Sequence, residues 1–144
     1  MKFRYSTIVH NDLDTVWAFI MNFDRRPEWI HFFDKSYVTK QTSNWIGTLY
    51  KEKLTFLGIP LHIEYKILDY SEKEFFISKC KMPPFYPTVS VAVKDNGDGT
   101  IESALEFEIK LGPFFLVPKK LIQSQVDDLV APVIEKYIAI LDQP

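Results

Sequence analysis

The spacing of apolar residues changes from a two-residue to a helical period along the chain. Between residues 36 and 111 apolar and polar positions largely alternate, which is typical of strands with one buried face. In residues 118–141 the spacing is three and four, which places apolar side chains on one face of an α-helix. That predicted face comprises Ile122, Val126, Leu129, Val130, Val133, Tyr137 and Ile140. Pro132 lies within this helix and is expected to bend it.

The same alternation predicts seven strands. The first covers residues 2–9, and the others lie near 36–41, 46–57, 60–70, 75–82, 87–94 and 100–111. Between the first two strands, Asn11 or Asp12 caps one short helix and Pro27 opens a second that ends near Asp34. This order predicts an α+β fold in which one antiparallel sheet grips one long helix, as a single domain over residues 1–144.

Residues 13–29 carry a recognisable pattern. It reads Asp-x-Val-Trp-x-x-Ile and then Asn-Phe-Asp-x-x-Pro-x-Trp, and includes Trp17, Pro27 and Trp29. In this pattern and in element order the chain resembles the START-like superfamily, the helix-grip group that includes Bet v 1-type and polyketide cyclase/dehydrase-type proteins. The resemblance implies a curved antiparallel sheet of seven strands around the C-terminal helix, with an elongated apolar cavity between them. It implies no catalytic residues.

Composition narrows the class of protein. The chain has 144 residues, a net charge of −2 and an aromatic content of 15%. No basic face emerges, which argues against nucleic acid, and the scattered histidines suggest neither a metal site nor a cofactor. Cys80 is the only cysteine, so no intrachain disulfide can form. With no signal-like apolar start, we expect a cytoplasmic monomer or weak homodimer.

Strand alternation selects Glu52 as the candidate for chemistry. Tyr50, Glu52, Leu54 and Phe56 share the more apolar face of their strand and should point at the helix. A buried carboxylate would have a raised pKa, and could act as a general acid or base or hold the polar end of a ligand. The alternative is a partly exposed glutamate that pairs across strands near an edge.

Further strands and the helix supply the remaining candidates for a ligand-binding wall. Alternation turns Tyr65 and Phe107 inward, and the helix contributes Val130, Val133 and Tyr137. Phe76, Ser78, Cys80 and Met82 form the inward set of the fifth strand, since Lys79 and Lys81 need water. Ser78 and Cys80 either shape a cavity wall or only make room for the helix.

Three apolar, proline-containing connections are predicted at one end of the sheet, at residues 57–60, 83–87 and 112–118. They either cap the core or form an entrance in which Phe85, Phe114 and Phe115 act as a lid or touch a membrane transiently. Lys119 and Lys120 would suit an anionic head group there.

Three functions fit these patterns. The first is binding, and possibly transport, of a small hydrophobic ligand such as a lipid or a polyketide-like aromatic compound. The second is a cyclase- or dehydratase-type enzyme that uses Glu52 with Tyr137 or Tyr65. The third is a co-chaperone-like interaction module with a filled core. The absence of a cluster of His, Asp and Arg favours the first over the second.

Overall fold

The computed structural model describes residues 1–112 and 116–144. Within these residues, three helices and seven strands follow one another in the order expected from the sequence, with a 3-10 turn at Phe23–Arg25. The helices are α1 (Leu13–Ile20), α2 (Arg26–Trp29) and α3 (Lys119–Leu141). The strands are β1 (Lys2–His10), β2 (Phe33–Lys40), β3 (Leu49–Phe56), β4 (Ile59–Ser71), β5 (Phe75–Lys79), β6 (Thr88–Asp95) and β7 (Thr100–Glu108).

All seven strands form one curved antiparallel sheet in the order β1-β7-β6-β5-β4-β3-β2. From β2 to β7 each strand pairs with its neighbour in sequence, whereas β1 pairs with β7 over residues 2–10 and 100–108. The strands β1 and β2 therefore lie on opposite edges, and α1 and α2 connect them. The helix-grip α+β architecture expected from the sequence is confirmed.

Alternation of burial fixes which side of the sheet faces α3. In β3, Tyr50, Glu52, Leu54 and Phe56 are buried while Lys51 and its outward neighbours are exposed. The neighbouring strand β4 repeats this with Leu61, Ile63, Tyr65 and Ile67. Because side chains alternate between the faces of a strand, one concave side of the sheet is apolar along its length.

The helix α3 covers that concave side. It buries Ile122, Val126, Val130, Val133, Tyr137 and Leu141. Its C-terminal end is tied to the start of α1, where the Asn11 amide donates to the Leu141 carbonyl at 2.8 Å. The Asp12 carboxylate caps α1 by accepting from the Thr15 backbone N–H at 2.8 Å. Pro132 lies inside α3, as the sequence indicates.

Several predicted boundaries are wrong. The second helix ends at Trp29 rather than near Asp34, and β2 begins at Phe33. The strand β3 begins at Leu49 rather than residue 46, because Trp45 and Gly47 adopt positive φ angles that a strand does not permit. The strand β5 ends at Lys79, so alternation no longer governs Met82, which is 54% exposed rather than turned inward.

In the described residues, none of the helices combines the length and apolar character needed to cross a membrane.

Candidate functional site

A cavity of about 220 Å³ lies between the concave side of the sheet and α3. Its walls are mostly aromatic and aliphatic, with contributions from β1, the α1–α2 segment, the six other strands and α3. Eleven residues expected from the sequence at a ligand-binding wall line it: Tyr50, Glu52, Leu54, Phe56, Tyr65, Phe76, Phe85, Phe107, Val130, Val133 and Tyr137. The structure thus brings together residues from four strands, one loop and the last helix.

Ser78 and Cys80 are fully buried but do not line the cavity. They lie next to two tyrosines instead: the Ser78 hydroxyl lies beside the Tyr50 hydroxyl, and the Cys80 thiol lies near Tyr65. The expectation that Ser78 and Cys80 form part of a ligand-binding wall stays a prediction, since neither residue lines this cavity.

The other two aromatic residues expected at the site, Phe114 and Phe115, lie outside the described residues. Phe85 is 3% exposed and faces the cavity. Its ring meets the Phe56 ring edge-on with 5.6 Å between centroids.

Glu52 is part of a buried polar cluster. Arg26 Nη1 donates to Glu52 Oε2 at 3.1 Å, and Ser36 Oγ donates to the same oxygen at 3.2 Å. The register of β2 and β3 places Ser36 directly opposite Glu52, which explains the second contact. Both bonds end on Oε2, so Glu52 Oε1 has no hydrogen bond to any described residue.

Burial raises the pKa of Glu52 above its ordinary value. The Arg26 guanidinium and the Ser36 hydroxyl act against this rise by stabilising the charged form, but desolvation is the larger effect. The carboxyl group is therefore able to hold a proton at a higher pH than an exposed glutamate. A raised pKa is one property of a carboxyl group that acts as a general acid.

Arg26 is the charged residue of the cavity lining that was not predicted from the sequence. It is the first residue of α2, and its guanidinium carbon lies 4.0 Å from the centre of the Phe23 ring. The residue is only 8% exposed. Arginine is seldom buried without a partner, so nothing in the local pattern indicated this position. One signal existed: a carboxylate expected inside a core requires a nearby cation, and Arg26 precedes the proline that opens α2.

Two tyrosines extend the polar cluster. The Tyr50 and Tyr65 rings stack with centroids 4.9 Å apart, and burial raises the pKa of both hydroxyls. The Glu52 carboxylate raises the pKa of both hydroxyls further, because its negative charge disfavours a negatively charged tyrosinate nearby. Both hydroxyls therefore stay protonated and can donate hydrogen bonds.

A second polar group, a pair of hydrogen-bonded hydroxyls, lies on the other wall of the cavity. The hydroxyls of Tyr137 and Ser103 are hydrogen-bonded at 2.7 Å, which joins α3 to β7. Burial raises the pKa of Tyr137, so this hydroxyl also stays neutral. Within residues 1–112 and 116–144, no three His, Cys, Asp or Glu side chains come together as metal ligands.

These features define a class of protein: a helix-grip fold that holds an apolar cavity with a few buried polar groups. The sequence model of one family, described as "Polyketide cyclase / dehydrase and lipid transport", matches residues 1–138. The chain belongs to this family. The START-like resemblance of residues 13–29 is thereby confirmed.

Solved structures agree on the fold. A START superfamily protein from Mycobacterium smegmatis superposes with a TM-score of 0.82 at 8% identity, covering 97% of this chain and 96% of its own. The ZhuI aromatase/cyclase from a Streptomyces species gives 0.72 at 9% identity, with 96% and 89% covered. A protein from Thermus thermophilus gives 0.74 at 13% identity, with 97% and 99% covered. No curated protein matches the chain.

Proposed function

We propose that this protein binds a compact, uncharged and mostly apolar ligand that carries a hydroxyl group, and that it acts as a carrier. The observation behind this proposal is the charge balance of the cavity. Arg26 and Glu52 are the only charged side chains among the described residues that line it, and they pair with each other. A ligand with a net charge would enter an apolar site without a partner, which is costly.

The size of the cavity supports a compact ligand. About 220 Å³ lies below the roughly 300–1,000 Å³ typical of sites for drug-sized molecules. A small aromatic compound fits this space better than a lipid with two acyl chains. The polar position for it is Glu52 Oε1, which can accept a hydrogen bond from a ligand hydroxyl.

The family description, which names lipid transport beside cyclases and dehydrases, is compatible with a carrier. An open cavity also argues against the third possibility, an interaction module with a filled core. We take residues 1–144 to act as one domain, in the cytoplasm, as a monomer or weak homodimer. The single cysteine, Cys80, is buried and free, which suits a reducing compartment.

A matched pair of ligands tests the proposal. We expect 2-naphthol to bind at least about tenfold more tightly than 2-naphthoate at neutral pH, because the carboxylate would be buried beside Glu52 without a counterion. Fluorescence titration measures both affinities, and native mass spectrometry of the freshly purified protein identifies any ligand that co-purifies. Equal affinities, or tighter binding of naphthoate, would contradict an uncharged ligand class.

A second candidate is a cyclase- or dehydratase-type enzyme, favoured by one observation. Glu52 lines the cavity with a raised pKa and an oxygen that has no hydrogen bond to the described residues, as an acid–base catalyst requires. The similar fold of an aromatase/cyclase is compatible with this role, although the identity of 9% bears on the fold alone.

Glu52→Gln separates the two candidates. If the protein is an enzyme, this variant loses turnover of a short poly-β-ketoacyl thioester, because an amide cannot transfer the proton. If it is a carrier, as we expect, neither the wild type nor the variant converts the thioester, and naphthol affinity changes only modestly. Product analysis by mass spectrometry measures turnover. Glu64→Gln, on the exposed face of β4, is the matched control.

A further inference from the structure

One end of the molecule combines exposed apolar side chains with unpaired lysines. Leu116 is 90% exposed, and Met82, Tyr86 and Leu121 are also exposed. We call the exposed side chains of residues 81–86, 110 and 116–121 the basic end. Large apolar side chains in water are ordinary when scattered, but a group of them beside one kind of charge indicates a contact surface.

These residues lie at the same end of the sheet. The backbone N–H of Lys110 donates to the Phe85 carbonyl at 2.8 Å, and Lys110 Nζ lies 5.8 Å from the centre of the Tyr86 ring. Phe85 contacts Phe56 beside the β3–β4 turn. The N-terminal part of α3 lies near the same β3–β4 connection, because Gln125 and residues 57–58 line one surface groove. The loop before β6, the end of β7 and the start of α3 are thus brought together.

The charge of the basic end opposes that of the rest of the protein. The two stretches of sequence that carry the basic end, residues 80–87 and 109–125, contain Lys81, Lys110, Lys119 and Lys120 and no Asp or Glu. With a net charge of −2 for the whole chain, the remainder carries −6. All four lysines are exposed, and none forms an ion pair with a described residue. Their charges are available to a partner.

The basic end shares two backbone segments with the cavity wall. Phe85 lines the cavity, and the next residue, Tyr86, is exposed at the basic end. In the same way Ile109 lines the cavity and Lys110 points to solvent. A partner that contacts Tyr86 and Lys110 is therefore separated from the cavity by a single layer of residues.

We propose that the basic end docks on anionic phospholipid bilayers, with its apolar side chains in the interfacial region and its lysines at the head groups. An anionic bilayer can bind the apolar side chains and the lysines together, because its apolar interior lies beneath a negatively charged surface. Exchange of the cavity ligand at the membrane rests on the function proposed above, whereas docking itself does not.

Charge argues against a second copy of the chain as the occupant. A two-fold dimer is self-complementary, so it would bring the four lysines of one copy against the four of the other. Neither segment carries an acidic residue to offset that repulsion. The apolar side chains alone would then have to overcome it.

Vesicle co-sedimentation tests the proposal. We expect the protein to bind phosphatidylcholine vesicles that contain about 30% phosphatidylserine, to leave pure phosphatidylcholine vesicles unbound, and to dissociate at about 0.5 M salt, where charges are screened. Lys119→Gln with Lys120→Gln should weaken binding by about 30-fold, since each lysine near the surface contributes about fivefold. Leu116→Ser with Leu121→Ser should weaken it by at least about tenfold.

Matched controls lie at the opposite end of the sheet. Lys40→Gln with Lys94→Gln removes the same charge near the β2–β3 and β6–β7 connections, and Ile46→Ser with Leu68→Ser removes apolar side chains that are 43% and 46% exposed. Neither double variant should change vesicle binding by more than about twofold. Circular dichroism of all four double variants verifies that they are folded.

Each remaining outcome is decisive. Equal binding to both kinds of vesicle, or equal losses in the controls, would overturn the proposal. A change of oligomeric state in Leu116→Ser with Leu121→Ser would assign the basic end to a second copy and also overturn it. Naphthol binding is measured without vesicles. If naphthol does not bind, the ligand proposal is rejected, but the proposal of membrane docking is unaffected.

Discussion

Replacing Arg26 by methionine is expected to lower the free energy of unfolding by about 3–5 kcal/mol at neutral pH. The variant leaves the Glu52 carboxylate buried with only the Ser36 hydroxyl as a partner among the described residues. A loss of this size is a large fraction of the stability of a domain, which is typically about 5–15 kcal/mol. Urea unfolding followed by circular dichroism measures it.

The loss should depend on pH. Burial already raises the pKa of Glu52 above its ordinary value of 4.5, and Arg26 is the main opposing influence. Without Arg26 the pKa of the folded protein rises further. Because the pKa of Glu52 is higher in the folded than in the unfolded protein, its bound proton stabilises the folded state. This contribution is fully present below pH 4.5 and is lost as the pH rises through the pKa of the folded protein. The deficit of Arg26→Met should therefore be smaller at about pH 5 than at about pH 7.

Adding Glu52→Leu to Arg26→Met should restore most of the lost stability, because a buried ion pair replaced by apolar side chains is often neutral or stabilising. The Glu64→Leu addition to Arg26→Met is the matched control, since Glu64 lies on the exposed face of β4. If Arg26→Met costs less than about 1 kcal/mol, or if its deficit grows on acidification, the pair does not hold a charged carboxylate in the core.

Filling the cavity should abolish ligand binding without unfolding the protein. Val133→Phe adds a ring at a position of α3 that lines the empty space, so the added atoms have room. We expect naphthol affinity to fall by at least about tenfold, and melting temperature to stay within a few degrees of the wild type. Fluorescence titration and thermal unfolding measure the two quantities.

Val126→Phe is the matched control for that variant. Val126 lies two helical turns earlier on the same face of α3, is fully buried and does not line the cavity. The same substitution there overpacks a filled core and should cost about 1–3 kcal/mol, while the folded fraction still binds naphthol. Unchanged naphthol binding in Val133→Phe would mean that the ligand site is not this cavity.

The part of the cavity wall that β3 and α3 contribute could be predicted because it follows from periodicity. Once Lys51 is assigned to water, Tyr50 and Glu52 must face the other way, and strand pairing then aligns Tyr50 with Tyr65. The same logic on α3 selects Val130, Val133 and Tyr137. Local periodicity therefore determines which residues face the space between sheet and helix.

What periodicity does not give is contact between distant elements. The Arg26–Glu52 pair joins a four-residue helix to a strand, and no local pattern specifies that approach. The end of β5 is another case. Cys80 is still buried as alternation predicts, but Met82 is exposed because the strand stops at Lys79, after which the Cys80 backbone N–H donates to the Pro87 carbonyl at 2.9 Å.

The pairing of β1 with β7, which lie far apart in the sequence, has a consequence for biosynthesis. The pairing begins at His10 with Thr100, so a ribosome must add about 90 residues after β1 before its partner exists. At about 5–20 residues per second this takes roughly 5–20 s. Throughout that time the apolar side of β1, with Phe3 and Val9, has no strand to join and is exposed to chaperones or to other nascent chains. The cavity, which needs Tyr5 of β1 on one wall and α3 on another, is complete only when almost the whole chain has been made.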